Sequence, residues 1–177
     1  MLNLLRQRRS IRVFKEQPIE TEKIKLISEA LLRAPTSRDL QPCEFVLVDD
    51  PAILDRLVTA KAHGTSFFAT APLAIVIAAD PQISDVWIED SAIAAIVAQL
   101  AVEELGLKSC WAQLRLREHN DELSASEFVR QLVGLPEGKE VPIVIAVGYP
   151  DEKKAGHNAD ALKKTKIHLN HYSSVKK

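Results

Sequence analysis

Cysteine, glycine and aromatic residues are scarce in this chain, and a long apolar run is missing. Among 177 residues there are two cysteines and six glycines, and aromatic residues make up 5%. Cys43 and Cys110 form no CxxC pair, and the opening residues do not read as a signal peptide, so we expect free thiols in a cytoplasmic protein. The most apolar stretch, 86–105, is interrupted by four acidic residues, whereas a membrane span needs roughly 20 apolar residues.

Neither sign of charge is in excess. The chain has 23 Lys and Arg against 24 Asp and Glu, which gives a net charge of −1. A nucleic-acid or anionic-membrane partner favours a clear basic excess, so we expect neither partner. Hydrophobic residues make up 46% and charged residues 27%, which is ordinary for a globular protein. A single domain over 1–177 is therefore expected.

The motifs of several common catalytic sites are also absent. There is no GxxxxGK[ST] loop, no GxGxxG and no GxSxG. These absences remove the phosphate cradles of P-loop and Rossmann proteins and the nucleophile elbow of α/β-hydrolases. His168 and His171 lack a third suitably spaced ligand, so no metal site is expected. Cys43 and Cys110 border apolar strands, where core packing is favoured over nucleophilic catalysis.

Hydrophobic periodicity predicts alternating helices and strands, an α/β pattern. Helices are expected at 2–8, at 21–33 with Thr21 as the cap, from Asp50-Pro51 onward, at 85–105 with Gly106 as the stop, and at 126–133. Strands are expected at 45–48, 73–79, 109–114 and 142–147. The pairs Glu89-Asp90 and Glu103-Glu104, near the two ends of the longest helix, are interpreted as solvated.

Two short polar segments are the most informative features that are present. The first, RRSIRVF at 8–14, places three guanidinium groups and a hydroxyl within five residues. A guanidinium is always charged and can fork two N–H donors onto a phosphate or a ring carbonyl. The second, APTSRDLQP at 34–42, is a turn of short polar side chains. Together they favour a site for a flat phosphorylated ligand, with a flavin leading. The alternatives are a solvated basic helix end and a plain helix-to-strand connection.

The ordered series of these segments resembles the FMN-dependent nitroreductase superfamily. The series comprises RRSIRVF, APTSRDLQP with EFVLV, LAIVIAAD, the helix closing on ELGLKSCW, LPE, VPIVIAVGYP and a tail with His168 and Asn170. The resemblance implies an α+β fold with a mostly antiparallel central sheet flanked by helices. It also implies an intertwined homodimer, with the long helix at the interface and the tail 151–177 docked on the partner subunit. Two FMN molecules would lie between the subunits.

The resemblance also implies the residues that contact FMN. Phosphate and ribityl contacts are expected from Arg8, Arg9 and Ser10, and a cation near N1 and O2 of the ring from Arg12. Contacts from the other subunit are expected from Pro35, Thr36, Ser37, Asp39 and Gln41. The strand end along the flavin face is expected at Gln113 and Leu114. Lys164 and Lys166 are candidate phosphate partners, for which a solvated tail is an equal alternative.

The implied activity is electron transfer from NADH or NADPH, through FMN, to a nitroaromatic, a quinone or a similar electron-poor acceptor. No side chain is assigned as catalytic, because the cofactor carries the chemistry. The alternatives are a flavin-binding protein with little turnover and a ligand-free domain. Several departures from the family pattern matter, and two of them concern charge near the flavin. Asp39 stands where Asn is common, and Phe67 and Phe68 offer no charge where some members have Asn and Lys, which leaves more to Arg12.

Overall fold

The computed structural model describes residues 1–172. Five α-helices and four strands occur in that range. They are α1 Leu2–Gln7, α2 Thr21–Leu32, β1 Cys43–Val48, α3 Pro51–Leu57, β2 Leu73–Ala79, α4 Trp87–Glu104, β3 Lys108–Gln113, α5 Ala125–Leu132 and β4 Glu140–Gly148. Short 3-10 turns lie at Ser37–Asp39, Ser66–Thr70, Ala159–Ala161 and Lys164–Lys166. Each helix and strand expected from the periodicity is therefore present, with small shifts at the ends.

The four strands form one sheet in the order β1-β2-β4-β3, and every neighbouring pair is antiparallel. The alternation of helices and strands along the sequence therefore builds an α+β fold with an antiparallel sheet, as the family resemblance implies. β2 is buried along its whole length, and β4 is buried after its first residue. Burial on both faces explains why these strands read as continuous apolar runs.

Helices cover both faces of the sheet and create two apolar layers. On one face, α2 and α4 pack Ile27, Leu31 and Ala98 against Ile75 and Ile145 of the central strands. On the other face, α3, α5, the 66–70 turn and segment 8–14 cover a second cluster. Burying a large aliphatic side chain contributes about 1.5 to 3 kcal/mol. The two layers cover both faces of the sheet. Its edge strands, β1 and β3, lie next to the two polar segments singled out from the sequence.

Most of the predicted helix ends are correct, and one is wrong. Asp50 accepts a hydrogen bond from the Ala52 N–H at 2.8 Å, which caps α3. Gly106 adopts a φ of +75° directly after α4 and ends that helix, as expected. Thr21 is not the cap of α2. Glu20 holds that position with an extended backbone, so Thr21 is the first helical residue.

The acidic pairs of α4 are only half solvated, so the sequence interpretation is wrong for one member of each pair. Glu89 and Glu104 are exposed, but Asp90 and Glu103 are buried. Glu103 forms an ion pair with Lys108 across the turn into β3. In the described part of the chain, no helix is long and apolar enough to cross a membrane.

Candidate functional site

Segment 8–14 runs in an extended conformation across the end of the sheet where β3 begins. Ser10 bridges to Ser109, and the Ile11 N–H donates to the Ser109 carbonyl at 3.1 Å. Ile11 and Phe14 are each 3% exposed and act as apolar anchors. The arginines of the segment stay outside the core, with Arg12 exposed. The spacing of apolar and basic residues thus fixes the backbone, with the Arg12 side chain exposed and those of Arg8 and Arg9 half-buried.

A glycine in the last position of β4 makes room for the Phe14 anchor. A Cβ at Gly148 would lie 2.7 Å from Pro72 Cδ and 3.0 Å from Phe14 Cδ1. A larger residue would clash with Pro72 and crowd Phe14, because real Cβ atoms do not approach other atoms closer than 3.0 Å. Gly148 therefore secures the ring of Phe14, two residues beyond Arg12.

Residues 152–155 run alongside segment 8–12 and hold its backbone. Glu152 accepts a hydrogen bond from the Arg12 N–H and forms an ion pair of 2.8 Å with Lys154. The Lys154 amine donates to the Ser10 carbonyl at 3.3 Å, and the Arg9 guanidinium donates to the Ala155 carbonyl. The hydrogen bonds from Lys154 and from the Arg12 N–H lower the pKa of Glu152. These contacts fix Arg12 through its backbone and leave its side chain exposed.

The tail then passes close to α1. A Cβ at Gly156 would lie 1.8 Å from the Arg6 carbonyl oxygen, so only glycine fits this crossing. Further along, Lys164 and Lys166 are exposed in a 3-10 turn. The final apolar residues of the described tail are also exposed, at 82%, 87% and 84%: Ile167, Leu169 and Tyr172. Residues 173–177, which complete the expected docking tail, lie outside the described residues.

The turn that follows α2 has an unusual backbone. Arg38, Asp39 and Gln41 have φ values of 53°, 55° and 48°, in the left-handed region that favours glycine. Each such residue costs about 1 to 3 kcal/mol unless its surroundings hold it. Inside the turn, the Gln41 N–H donates to Thr36 Oγ1 at 3.1 Å, and the Leu40 N–H donates to the Ser37 carbonyl at 3.0 Å. The turn is thus an ordered structure and not a loose connection.

Among the described residues, the cation next to Asp39 in the sequence is paired with another carboxylate. Arg38 forms an ion pair with Asp85, so it does not neutralise its neighbour Asp39. The Asp39 carboxylate instead accepts a hydrogen bond of 2.9 Å from the Gln41 side-chain amide. Pro35, Asp39 and Gln41 are exposed, whereas Thr36 and Ser37 are half-buried. The turn therefore presents one negative charge to whatever lies against it.

Within one chain the two polar segments lie at opposite corners of the sheet. Segment 8–14 meets edge strand β3 near its first residues, and the turn 36–41 precedes the first residue of the other edge strand, β1. The last residue of β4, Gly148, pairs with the first residue of β3. The first residue of β4, Glu140, pairs with Ala79 of β2, which in turn pairs with the first residue of β1. Three strand spacings and the length of β4 then separate the corners by roughly 30 Å. One chain does not bring these segments together.

The end of β3 lies nearer to segment 8–14. Gln113 is four positions beyond Ser109, which corresponds to roughly 13 Å along the strand. The Gln113 side chain donates to the Arg115 carbonyl, and Leu114 is buried with its N–H bonded to the Pro142 carbonyl at 2.8 Å. This strand end therefore offers mainly backbone to a ligand.

A lysine that the sequence interpretation did not single out approaches this strand end. The Lys61 amine is half-buried and donates to the Gln113 carbonyl at 2.8 Å. Burial, and then the charge of Arg117, lower the pKa of Lys61. Phe67 and Phe68 are buried in the core, and they leave the surface of this region to other residues. No spacing rule marks Lys61, because its partner lies 52 positions away in the sequence.

Comparison with known proteins identifies the family. The nitroreductase family model matches residues 5–66 and 56–149. An FMN-dependent nitroreductase of Clostridium difficile has a solved structure that superposes with a TM-score of 0.95 at 42% identity, covering 97% of this chain and 100% of that one. An Archaeoglobus fulgidus protein, provisionally named NADH dehydrogenase/NAD(P)H nitroreductase, is 34% identical over 163 residues, 90% of each chain.

A third relative is more distant and has a related name. The NADH dehydrogenase of Thermus thermophilus is 29% identical over 175 residues, covering 83% of this chain and 85% of its own. The family match extends through the arginine segment, the left-handed turn and the end of β3, which are the places where the structure positions polar groups. The chain belongs to the nitroreductase family.

Proposed function

We propose that this protein is an FMN-dependent oxidoreductase that passes electrons from NADH or NADPH to a nitroaromatic, a quinone or a similarly electron-poor small molecule. The observation that carries the proposal is segment 8–12, whose cationic side chains project from a backbone fixed by β3 and by residues 152–155. The names of the relatives, with FMN in one and NAD(P)H in another, support the choice of cofactor and donor.

The residues at this corner fit a phosphorylated flavin. Arg8 and Arg9 supply forked N–H donors for the phosphate, and the Ser10 hydroxyl can donate to the same group. Arg12 supplies a permanent cation, which stabilises negative charge on the pyrimidine side of a reduced flavin. FMN, when bound, supplies the hydride acceptor and the electron donor of the two half-reactions. The chain therefore needs no nucleophile of its own.

The end of β3 and its neighbour Lys61 would lie at the other side of the bound flavin. The backbone of Gln113 and Leu114 gives a flat surface against which a ring can lie. Lys61 holds the Gln113 carbonyl and adds a second positive charge near the ring. The exposed Lys164 and Lys166 provide further donors for the phosphate, and the alternative for each is a solvated tail residue.

The site is composed of two subunits. Because the turn lies roughly 30 Å from segment 8–14 in one chain, its contacts reach the flavin from the partner subunit. The turn residues proposed for this role are Pro35, Thr36, Ser37, Asp39 and Gln41. We further propose that residues 1–177 form one domain and that the tail 151–177 docks on the partner, which would cover the exposed Ile167, Leu169 and Tyr172.

The absorbance spectrum of the purified protein after incubation with FMN tests the proposal. We expect a flavin spectrum that stays with the protein through a desalting column, bleaches on anaerobic addition of NADH or NADPH, and returns with p-nitrobenzoate or benzoquinone. A protein that retains flavin but is not reduced by either nucleotide would instead be a flavin carrier. A protein that retains no flavin would contradict the proposal altogether.

A further inference from the structure

Asp90, in the first turn of α4, is a buried carboxylate with both oxygens occupied. It is 2% exposed. Its Oδ1 accepts a hydrogen bond of 2.9 Å from the Ser37 N–H, and its Oδ2 accepts one of 3.0 Å from the hydroxyl of Ser84, itself 1% exposed. The Ser84 hydroxyl in turn accepts from the Val86 N–H at 3.3 Å. A buried carboxylate is stable only with such partners, so the Ser37 N–H and the Ser84 hydroxyl keep Asp90 in its buried position.

One of the two hydrogen bonds of Asp90 connects α4 to the turn at 36–41 of the same chain. Two polar contacts within residues 1–172 connect this turn to α4 or to the loop before it. One is the bond between Ser37 and Asp90, and the other is the ion pair between Arg38 and Asp85, whose side chains are 62% and 74% exposed. An exposed ion pair contributes little, because water and salt screen it. The bond from the Ser37 N–H to the buried Asp90 carboxylate is therefore the stronger of the two polar connections that hold the turn.

The location of Asp90 also favours a strong bond. A carboxylate in the first turn of a helix is stabilised by the helix dipole and by nearby N–H groups. A hydrogen bond to an ionised acceptor is roughly twice as strong as one between neutral groups. The turn needs such support because Arg38, Asp39 and Gln41 all hold left-handed backbone angles. The bond joins the helix to the first residue of the 3-10 turn that contains two of them.

We infer that Asp90 is a positioning residue for the cofactor site of the partner subunit: it holds the Ser37 N–H and thereby sets the turn that reaches across to the flavin. The inference rests on the proposed function, because the turn must contact FMN for its position to matter. Asp90 itself does not touch the cofactor. Its effect on flavin affinity passes through one backbone hydrogen bond.

A pair of substitutions at one position isolates that bond. Both Ser37→Pro and Ser37→Ala remove the Ser37 hydroxyl. Only Ser37→Pro also removes the backbone N–H that donates a hydrogen bond to Asp90. Proline fits the position, because the preceding Thr36 has the extended angles φ −128° and ψ 156°, and Ser37 begins a 3-10 turn. We expect Ser37→Pro to bind FMN about tenfold more weakly than Ser37→Ala, measured by quenching of flavin fluorescence.

Variants of the acceptor complete the test. We expect Asp90→Ala to weaken FMN binding like Ser37→Pro, and Asp90→Asn, which keeps an oxygen for the Ser37 N–H, to stay within about threefold of wild type. Asp85→Ala is the matched control, since it breaks only the exposed pair with Arg38. Adding Asp90→Ala to Ser37→Pro should cause no further loss of affinity, because both changes remove the same bond. A general loss of stability would instead add.

The outcomes separate the two proposals. If wild-type protein retains no FMN, the proposed function fails. If wild type binds FMN but Ser37→Pro and Ser37→Ala bind it equally well, the role of Asp90 is overturned. If Asp90→Ala does not fold, the Ser37 pair alone decides, since it leaves α4 unchanged. Equal affinity losses in Asp90→Ala and Asp85→Ala would also overturn the inference.

Discussion

The side-chain amine of Lys61 donates a 2.8 Å hydrogen bond to the backbone carbonyl of Gln113 and joins the segment after α3 to the last residue of β3. The bond places a half-buried positive charge at a strand end that carries no acidic side chain of its own. Burial lowers the pKa of this amine. Keeping a charge in such a place costs stability, so we expect it to serve the bound ligand.

Replacing Lys61 by Met should make the bound flavin harder to reduce. Reduction adds negative charge, and a screened interaction of about 1 kcal/mol corresponds to a midpoint potential lower by roughly 20 mV. Folding should not suffer. Burial of the charged Lys61 amine lowers folding stability at neutral pH. This cost is relieved only as the pH rises from the lowered pKa of the folded state toward the ordinary value of 10.5. Lys25→Met is the control, and equal potentials in both variants would contradict the role of Lys61.

Arg12→Ala should weaken FMN binding or slow flavin reduction while leaving the fold intact. The contact with Glu152 uses the Arg12 backbone N–H, which alanine retains. Affinity, reduction by NADH and thermal unfolding of the apoprotein should be measured together. Arg33→Ala, which removes an exposed guanidinium directly after the end of α2, is the matched control. Undiminished FMN affinity with unchanged reduction kinetics would exclude Arg12 from the site.

Mixing two defective proteins should restore flavin binding if each site uses both subunits. One chain would carry Arg8→Ala and Arg12→Ala, and the other Thr36→Ala and Gln41→Ala. In a mixed dimer, one site receives both defects and the other receives none. Random exchange should therefore restore about a quarter of the wild-type sites. No recovery after subunit exchange would mean that each site is built from one chain.

Asp39→Asn should raise the flavin midpoint potential. The carboxylate is exposed and is not neutralised by Arg38, so near the ring it would oppose the negative charge of reduction. Removing it should ease reduction by on the order of 1 kcal/mol. Potentiometric titration of wild type and variant checks this, with Asp49→Asn as an exposed control beyond β1. A variant that is equally hard or harder to reduce would show that Asp39 does not tune the flavin.

Polar replacement of Ile167, Leu169 and Tyr172 by serine should weaken the dimer without disturbing the subunit fold. These side chains are more than four-fifths exposed in the single chain, so they contribute little to its own core. Sedimentation over a range of concentrations should show an increased dissociation constant. Leu32→Ser, at an exposed position that ends α2, is the control. Unchanged dimerisation in the triple variant would argue against a docked tail.

Local sequence patterns could predict the helices, the strands and the arginine segment, because each depends on residues near one another. The burial of Asp90 cannot be predicted from the local sequence. An acidic residue in the first turn of a helix has the usual appearance of a solvated one, and its burial follows from the return of the turn at 36–41. The left-handed angles of Arg38 and Gln41 were equally hidden, since neither residue type favours them.

Segment 8–14 and the turn at 36–41 lie at opposite corners of one chain's sheet, and this separation makes the site depend on protein concentration. Each chain can complete its sheet alone, but a ligand that needs both corners must wait for two chains to meet. At high dilution the concentration of complete sites then depends on the square of the free-chain concentration, so the fraction of chains in complete sites falls in proportion to dilution. Specific activity should accordingly fall on dilution before the secondary structure does, and adding cofactor should slow this decline because binding draws the chains together.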